Sequence, residues 1–349
     1  MGWRRVWVDV LTSKQATLLG VLARELQSTG LEVLVTCREY EYTCRALDFL
    51  GVEYVIFGRY SEGDPYDKVR EDGLRVAGLA EVARGFKPEV LVAYPNPAAS
   101  RVAYGVGARY VALTDSPHAS LPSRLSLPLA DYVVFSSCIP EGEVRRYVTP
   151  STVLVKFRGV DEVGWLKRLE PDEGYVRSLG LKPWGYVVFR PAEELATYYR
   201  GIRLLPSEEV LSILLDLGYE VVLLPRYSRH RDLARREGVV AVEKGFSGPS
   251  LTYYARLVVT GGASIAREAA LAGTPAITYT PLDLHVNRCV RDWGFPLFRA
   301  TDVAELRRLA VELVNIGQVE RRGYLARARE LEDPVTVARS IVAQEGAAP

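Results

Sequence analysis

Methionine occurs once, at position 1, and asparagine only three times, at Asn96, Asn287 and Asn315. So few thermolabile side chains point to a thermophilic source, although the excess of arginine over lysine can equally follow from genome composition. The four cysteines, Cys37, Cys44, Cys138 and Cys289, form no C-x-x-C pair, and the three histidines are scattered. That argues against a structural zinc site, and no metal ligand set is expected. Acidic and basic residues nearly cancel, leaving a net charge of +1. A general nucleic-acid binder would be strongly basic, so that class is set aside. No run approaches the ~20 apolar residues of a membrane-spanning helix. Met1-Gly-Trp-Arg-Arg leads straight into a strand, without the pattern of a signal peptide. The expectation is a soluble, cytoplasmic protein.

What is present is enough apolar residue, 48% of 349, to fill two cores. The first part of the chain alternates short apolar strands (5–10, 32–36, 53–56, 90–93, 110–113, 132–135, 153–155) with helical spacing (14–28, 41–50, 66–85, 98–107). Such alternation predicts a parallel sheet covered on both faces. The pattern lapses over residues 159–185 and then resets. Strands are expected at 186–189, 220–224, 239–241, 257–260 and 276–279, with helices at 207–217, 228–237 and 250–255. We therefore read residues 1–158 as one doubly wound α/β domain, 159–185 as a connection and 186–332 as a second such domain. A last helix, 333–349, could pack back on the first. Ligands of open α/β sheets bind at the carboxyl ends of the strands, so a cleft between two such domains is where a site is expected.

One segment of the second domain carries more chemistry than the rest. In Leu257-Val-Val-Thr-Gly-Gly-Ala-Ser264 a strand runs into a glycine turn, and a helix follows with Glu268 one turn in. Gly273 ends that helix and Pro275 prevents its continuation. Free N–H groups of Gly262, Ala263 and Ser264, with Ser264 as cap, would cradle a phosphate at the positive end of the helix dipole. Glu268 beside them could accept from ribose hydroxyls, or pair with Arg267 or Arg226; Arg267 itself reads as a solvated helix residue, with a ligand contact as the alternative. A sugar nucleotide needs both an anion cradle and a ribose acceptor. Arg190 and Arg226 each close a strand, where a guanidinium can grip phosphate; Glu193 or Glu194 could instead take Arg190 as an ion-pair partner. Arg229, Arg231, Arg235 and Arg236 read as a solvated helix face or as a contact with an anionic membrane surface. In the first domain Asp115 and His118 follow a strand, and either could remove a proton. Asp9 ends the first strand and is a similar candidate. Thr12, Ser13 and Lys14 open the next helix, to cap it or hold an anion, and His285 with Asn287 are placed in a loop near the cleft.

Glu268 lies five residues before Gly273-Thr-Pro275, and the linker holds Gly159-Val-Asp161 followed by Pro171. In these features the chain resembles GT-B glycosyltransferases and the related UDP-N-acetylglucosamine 2-epimerases, which implies two Rossmann-like domains and a ribose-binding role for Glu268. Further features are Asp9, Glu32-Val-Leu-Val-Thr-Cys-Arg38, Thr114-Asp-Ser-Pro-His-Ala119, Gly159-Val-Asp-Glu162, Arg190-Pro191 with Tyr198, and Ser250-Leu-Thr-Tyr-Tyr-Ala255. Through these the chain is similar, over nearly its whole length, to a prokaryotic family of predicted glycosyltransferase-like proteins. That family often has Gly-Gly-Thr-Met where this chain has Gly261-Gly-Ala-Ser264, so Ser264 would have to supply the hydroxyl. The first loop, Val10-Leu-Thr-Ser-Lys-Gln15, lacks the glycines common in related transferases. The resemblance implies a nucleotide-sugar-dependent transferase using a UDP-sugar as substrate, without metal or cofactor, acting on an acceptor that is a sugar, lipid or polymer. A UDP-sugar 2-epimerase and a non-catalytic nucleotide-sugar-binding protein remain alternatives. Oligomerisation and a peripheral place at a membrane stay open.

Overall fold

A computed structural model describes residues 3–40, 42–194, 204–227, 230, 232–242, 246–316 and 321–345. Tyr198, Arg229 and Arg231 lie outside the described residues. The chain divides into two compact units, residues 1–165 with 332–349 and residues 166–331.

Unit 1 holds seven strands, β1 (Arg5–Val10), β2 (Glu32–Glu39), β3 (Val55–Arg59), β4 (Val90–Ala93), β5 (Arg109–Thr114), β6 (Tyr132–Ser136) and β7 (Val153–Phe157). They form one sheet in the order β3-β2-β1-β4-β5-β6-β7, every pairing parallel. Its helices are α1 (Ser13–Ser28), α2 (Thr43–Phe49), α3 (Pro65–Phe86), α4 (Pro97–Val106), α5 (Ser120–Ser126), α6 (Glu141–Arg145) and α7 (Glu162–Leu166), which ends at the unit boundary. In unit 2, α8 (Glu173–Ser178), α9 (Ser207–Leu215), α10 (Gly248–Tyr253), α11 (Ser264–Leu271), α12 (His285–Asp292), α13 (Val303–Val314) and α14 (Arg321–Glu330) accompany six strands. These are β8 (Tyr186–Arg190), β9 (Glu220–Leu223), β10 (Val239–Ala241), β11 (Leu257–Thr260), β12 (Ala276–Thr278) and β13 (Leu297–Arg299), in the order β10-β9-β8-β11-β12-β13, again all parallel. The last helix, α15 (Pro334–Glu345), belongs to unit 1 and packs on α1 and β6.

Two doubly wound parallel sheets are the expected fold. Strands β1, β4, β8 and β11 are buried almost throughout, as a sheet covered on both faces requires. Side-chain caps start several helices: Thr12 accepts from Gln15 N, Asn96 from Ala99 N ahead of Pro97, and Asp302 from Glu305 N. Cys37 and Cys44 are joined by a disulfide that ties β2 to α2.

Local differences from the expected elements have local causes. The helix expected over 228–237 is reduced among described residues to one 3-10 turn, Leu233–Arg235. His285 and Asn287 stand on α12, not in a loop, because the turn after Pro281 is short and the helix begins at His285.

In both sheets the strand order reverses beside the first strand of the unit. The switch point lies between β1 and β4 in unit 1 and between β8 and β11 in unit 2. Crevices at such points, outside the carboxyl ends of the strands, are where open α/β sheets receive ligands.

Candidate functional site

At the switch point of unit 2, β8 ends in Arg190 and β11 ends in Thr260, paired in register. Gly261 follows, its N–H donating to the Arg190 carbonyl (3.1 Å). A Cβ on Gly261 would lie 2.4–2.7 Å from the Cβ, Cα and N of Ala192, so the turn after β8 and the turn after β11 touch through a position only glycine fits. Arg190 is 7% exposed.

The next residues form the anion candidate, and the structure redistributes the roles expected for them. The Gly262 N–H is engaged by Thr260 Oγ1 (2.9 Å), and the Gly262 carbonyl accepts from Thr278 Oγ1 (3.0 Å). Gly262 therefore shapes the turn rather than offering its N–H. Ala263 is the residue before the helix, and Ser264 is its first residue, so Ser264 does not cap α11. The Ser264 hydroxyl lies instead 3.5 Å from Arg267 Nη2. The amides of the first turn of α11 have no acceptor inside the helix and carry its positive dipole end. The Arg226 guanidinium comes to the same turn: its Nη2 would lie 3.1 Å from a Cβ on Gly262. Arg226 is held there by Nε donating to the Pro191 carbonyl (2.8 Å) and Nη1 donating to Glu193 (3.3 Å). Glu193 thus pairs with Arg226.

One turn along α11, Glu268 is 5% exposed and accepts from Thr252 Oγ1 (3.0 Å). Its two carboxylate oxygens would stand 2.8 and 2.9 Å from a Cβ on Gly248, so Gly248 leaves room for them at the start of α10. Arg267, expected in solvent, is 1% exposed and donates from Nη1 to Asn287 Oδ1 (2.8 Å), joining α11 to α12. Asn287 is buried by that bond, and His285 is half-buried at the start of α12.

At the switch point of unit 1 two buried polar groups share the carboxyl ends of the strands. Asp9 is fully buried, and its carboxylate accepts from Arg75 Nη2 (2.6 Å), Asn96 Nδ2 and Thr36 Oγ1. Arg75 also donates to the Phe57 carbonyl and to Asn96 Oδ1. Asp9 therefore anchors β1, β2, α3 and α4 to each other, and the expectation that it serves as a base gives way to a structural one. Leaving either charge of this pair alone would cost about 3–5 kcal/mol.

The second group faces α1. Lys14 Nζ donates to Asp115 and to Asp161 Oδ2 (2.6 Å), and Tyr94 Oη donates to the same Asp161 oxygen. Asp115 accepts in addition from Ser116 Oγ (2.8 Å). Burial pushes the Asp161 carboxyl up; the Lys14 ammonium opposes this, and the charges of Asp115 and Glu162 reinforce it. Burial, then the charge of Asp161, holds the Tyr94 hydroxyl well above its usual range. Lys14 and Asp115 retain 16% and 12% side-chain exposure, so this cluster, unlike Asp9, meets solvent. Thr12 is consumed as the cap of α1, and Ser13 begins that helix. His118 is half-buried in the Asp115 loop, where the neighbouring Pro117 carbonyl accepts from Tyr147 Oη (3.1 Å).

The structure thus gathers Arg190, Gly261, Gly262, Arg226 and Glu193 at one place, and Lys14 with Asp115 at another. Asp161, Tyr94, Thr252 and Gly248 were not singled out by sequence reasoning. Asp161 stood in the Gly159-Val-Asp161 motif, and Thr252 in the Ser250–Ala255 motif, but nothing local showed where their side chains go.

A family model described as "Protein of unknown function (DUF354)" matches residues 4–345. The chain belongs to this family. The DUF354 chain is 23% identical over 287 residues to the uncharacterized protein MJ0665 of Methanocaldococcus jannaschii, an alignment covering 80% of this chain and 82% of that protein. Among solved structures it is similar to the UDP-GlcNAc 2-epimerase of the same organism in complex with UDP-GlcNAc and UDP. That likeness has a TM-score of 0.70, 13% identity, and coverage of 97% of this chain and 99% of that one. The spinosyn forosaminyltransferase SpnP is also similar, with a TM-score of 0.61, 15% identity, and 98% and 100% coverage. At these identities the likeness concerns the fold, and the fold of this DUF354 chain is that of the GT-B proteins.

Proposed function

We infer that this chain is a nucleotide-sugar-dependent glycosyltransferase whose unit 2 holds the nucleotide diphosphate. The observation that carries the reading is the convergence on α11. The Arg226 guanidinium reaches Gly262 at the first turn of α11, whose amides have no acceptor within the helix, and a nearly buried carboxylate, Glu268, stands one turn further in. The first two suit a diphosphate and the third a ribose. Arg190, at the neighbouring strand end, adds a second guanidinium. In this reading the charge that builds on the departing diphosphate is met by the helix dipole and the arginines, so no metal is called for. Asp115, with Lys14 beside it, receives the proton of the acceptor hydroxyl. That the similar epimerase was solved with UDP-GlcNAc and UDP makes a UDP-sugar the first donor to test.

Calorimetric titration with UDP and UDP-GlcNAc is the test. Saturable binding is expected, weakened about 10–100-fold by Arg226→Ala or Glu268→Gln, the range for losing a hydrogen bond to a charged group. No saturable binding to any nucleotide sugar, or unchanged affinity in both variants, overturns the pocket.

One observation favours a second reading, a sugar-nucleotide epimerase. Two carboxylates, an ammonium and a phenol lie together in the Lys14, Asp115, Asp161 and Tyr94 cluster, a set able to remove a proton and return it. Incubating UDP-GlcNAc with the protein alone in heavy water separates the readings. Deuterium at C2 establishes the epimerase, and an unchanged sugar that turns over once an acceptor is added establishes the transferase.

A further inference from the structure

Four large apolar side chains on two adjoining helices of unit 1 face solvent. On α5, Leu121 and Leu125 are 56% and 54% exposed; on α4, which packs against α5, Tyr104 and Val106 are 65% and 52% exposed. Leu121 and Leu125 are four apart and share one side of their helix, with Arg124 between them. Beside α5 is a cavity of about 370 Å³ lined by Arg124, Pro128, Arg146 and Tyr147. Arg146 lies over the Tyr147 ring, 5.0 Å from its centroid, and keeps half its side chain in solvent while pairing with Glu143.

Neither α4 nor α5 carries an acidic side chain. Residues 97–130 contain one carboxylate, Asp115, and it is engaged by Lys14. Arg101 and Arg124 stand exposed on the two helices. Exposed leucines on helices that carry arginine and no acidic side chain match the boundary of an anionic bilayer, where apolar groups enter the acyl region and guanidiniums meet lipid phosphates; Glu143, the partner of Arg146, belongs to α6. A protein partner with an apolar patch would not call for two arginines around an open cavity.

We propose that the α4–α5 surface of unit 1 docks on an anionic phospholipid bilayer, with Leu121 and Leu125 inserted and a lipid phosphate between Arg124 and Arg146. Tyr147, at the wall of the cavity, donates to the carbonyl of Pro117. Docking therefore brings the Asp115–His118 loop to headgroup level. The surface stands on unit 1 alone and does not depend on the nucleotide reading of unit 2.

The test is co-sedimentation of the full chain with vesicles of phosphatidylcholine alone and with phosphatidylglycerol mixed in. The chain is expected to sediment with the mixed vesicles and not with phosphatidylcholine alone, and added salt should weaken the binding. Arg124→Ala with Arg146→Ala should lower partitioning about thirtyfold, from ~1 kcal/mol per arginine near an anionic surface. Leu121→Ser with Leu125→Ser should lower it as well at low salt, with the thermal melt unchanged in both double variants. A chain that stays in the supernatant with mixed vesicles, or binds phosphatidylcholine as strongly, overturns the proposal. So do double variants that bind as the parent does. Calorimetric UDP titration of the same variants keeps the two questions apart, because failure to dock leaves nucleotide binding as it was.

Discussion

Asp161 shows how one buried carboxylate can couple a site to pH. It is 3% exposed and shares Lys14 with Asp115, and burial raises its proton affinity more than Lys14 lowers it. Its folded pKa therefore lies above the unfolded value of about 3.9. Across the interval between the two, the folded chain holds a proton that the unfolded chain has released. The contribution of Asp161 to stability is then fully present below the unfolded value and is lost as pH rises through the folded one. Other carboxylates titrate over the same range, so the quantity to read is the difference between the parent and Asp161→Asn. Urea unfolding from pH 4 to 7 should show the parent losing stability relative to the variant as pH rises. A difference that is flat, or that grows in favour of the parent, would sink the assignment. Sequence alone could not show this group. Lys14, Tyr94, Asp115 and Asp161 are separated by up to 147 positions along the chain and meet only because the sheet brings the ends of β4 and β5 beside α1.

The β11–turn–α11 element was legible because its information is local: a four-residue apolar strand, two glycines, eight helical residues, and Gly273 at φ +86° after the helix. What was misread there depends on neighbours. Thr260 takes the Gly262 N–H, the helix starts at Ser264 without a side-chain cap, and Arg267 is drawn inward by Asn287 of α12. The two glycines should now respond differently to substitution. At Gly261 an added methyl meets the backbone of Ala192, which no rotamer change relieves. Gly261→Ala should therefore destabilise the chain by about 1–3 kcal/mol and weaken UDP binding with it. At Gly262 the nearest atom is the end of the Arg226 side chain, which can move away. Gly262→Ala should weaken binding while the unfolding midpoint stays close to that of the parent. Chemical denaturation and calorimetry on the pair decide this. Equal destabilisation by both would mean that the turn after β8 does not constrain Gly261 as described.

At the scale of the molecule, alternation of strands and helices revealed both sheets, since period and length are carried by each segment. The strand order, and with it the two switch points, is a property of pairing that no segment carries alone. The same holds for the end of the chain. The polypeptide leaves unit 1 at Trp165, builds unit 2, and returns at Glu332. There Glu332 and Arg158 exchange bonds: the Arg158 N–H donates to the Glu332 carboxylate and the Glu332 N–H to the Arg158 carbonyl. Asp333 then caps α15 by accepting from Thr336 N (2.9 Å). Val335, Ala338 and Val342 are at most 1% exposed and Ile341 8%, a helical stripe laid on α1 and β6. A Cβ on Gly164 would lie 3.1 Å from Val335 Cγ2, so the chain leaving unit 1 packs against the helix that returns to it. Burying each of the three larger side chains is worth about 1.5–3 kcal/mol, and a domain is stable by about 5–15 kcal/mol in all. A chain ending at Leu331 should therefore lose a large part of the stability of unit 1. The expected outcome is a thermal transition lowered by more than 10 °C, or a chain that aggregates on expression, with Val335→Asp producing the same effect in the full-length protein. A truncated chain that melts with the parent would mean that α15 contributes nothing to the core of unit 1, and that its apolar stripe is covered there without stabilising it.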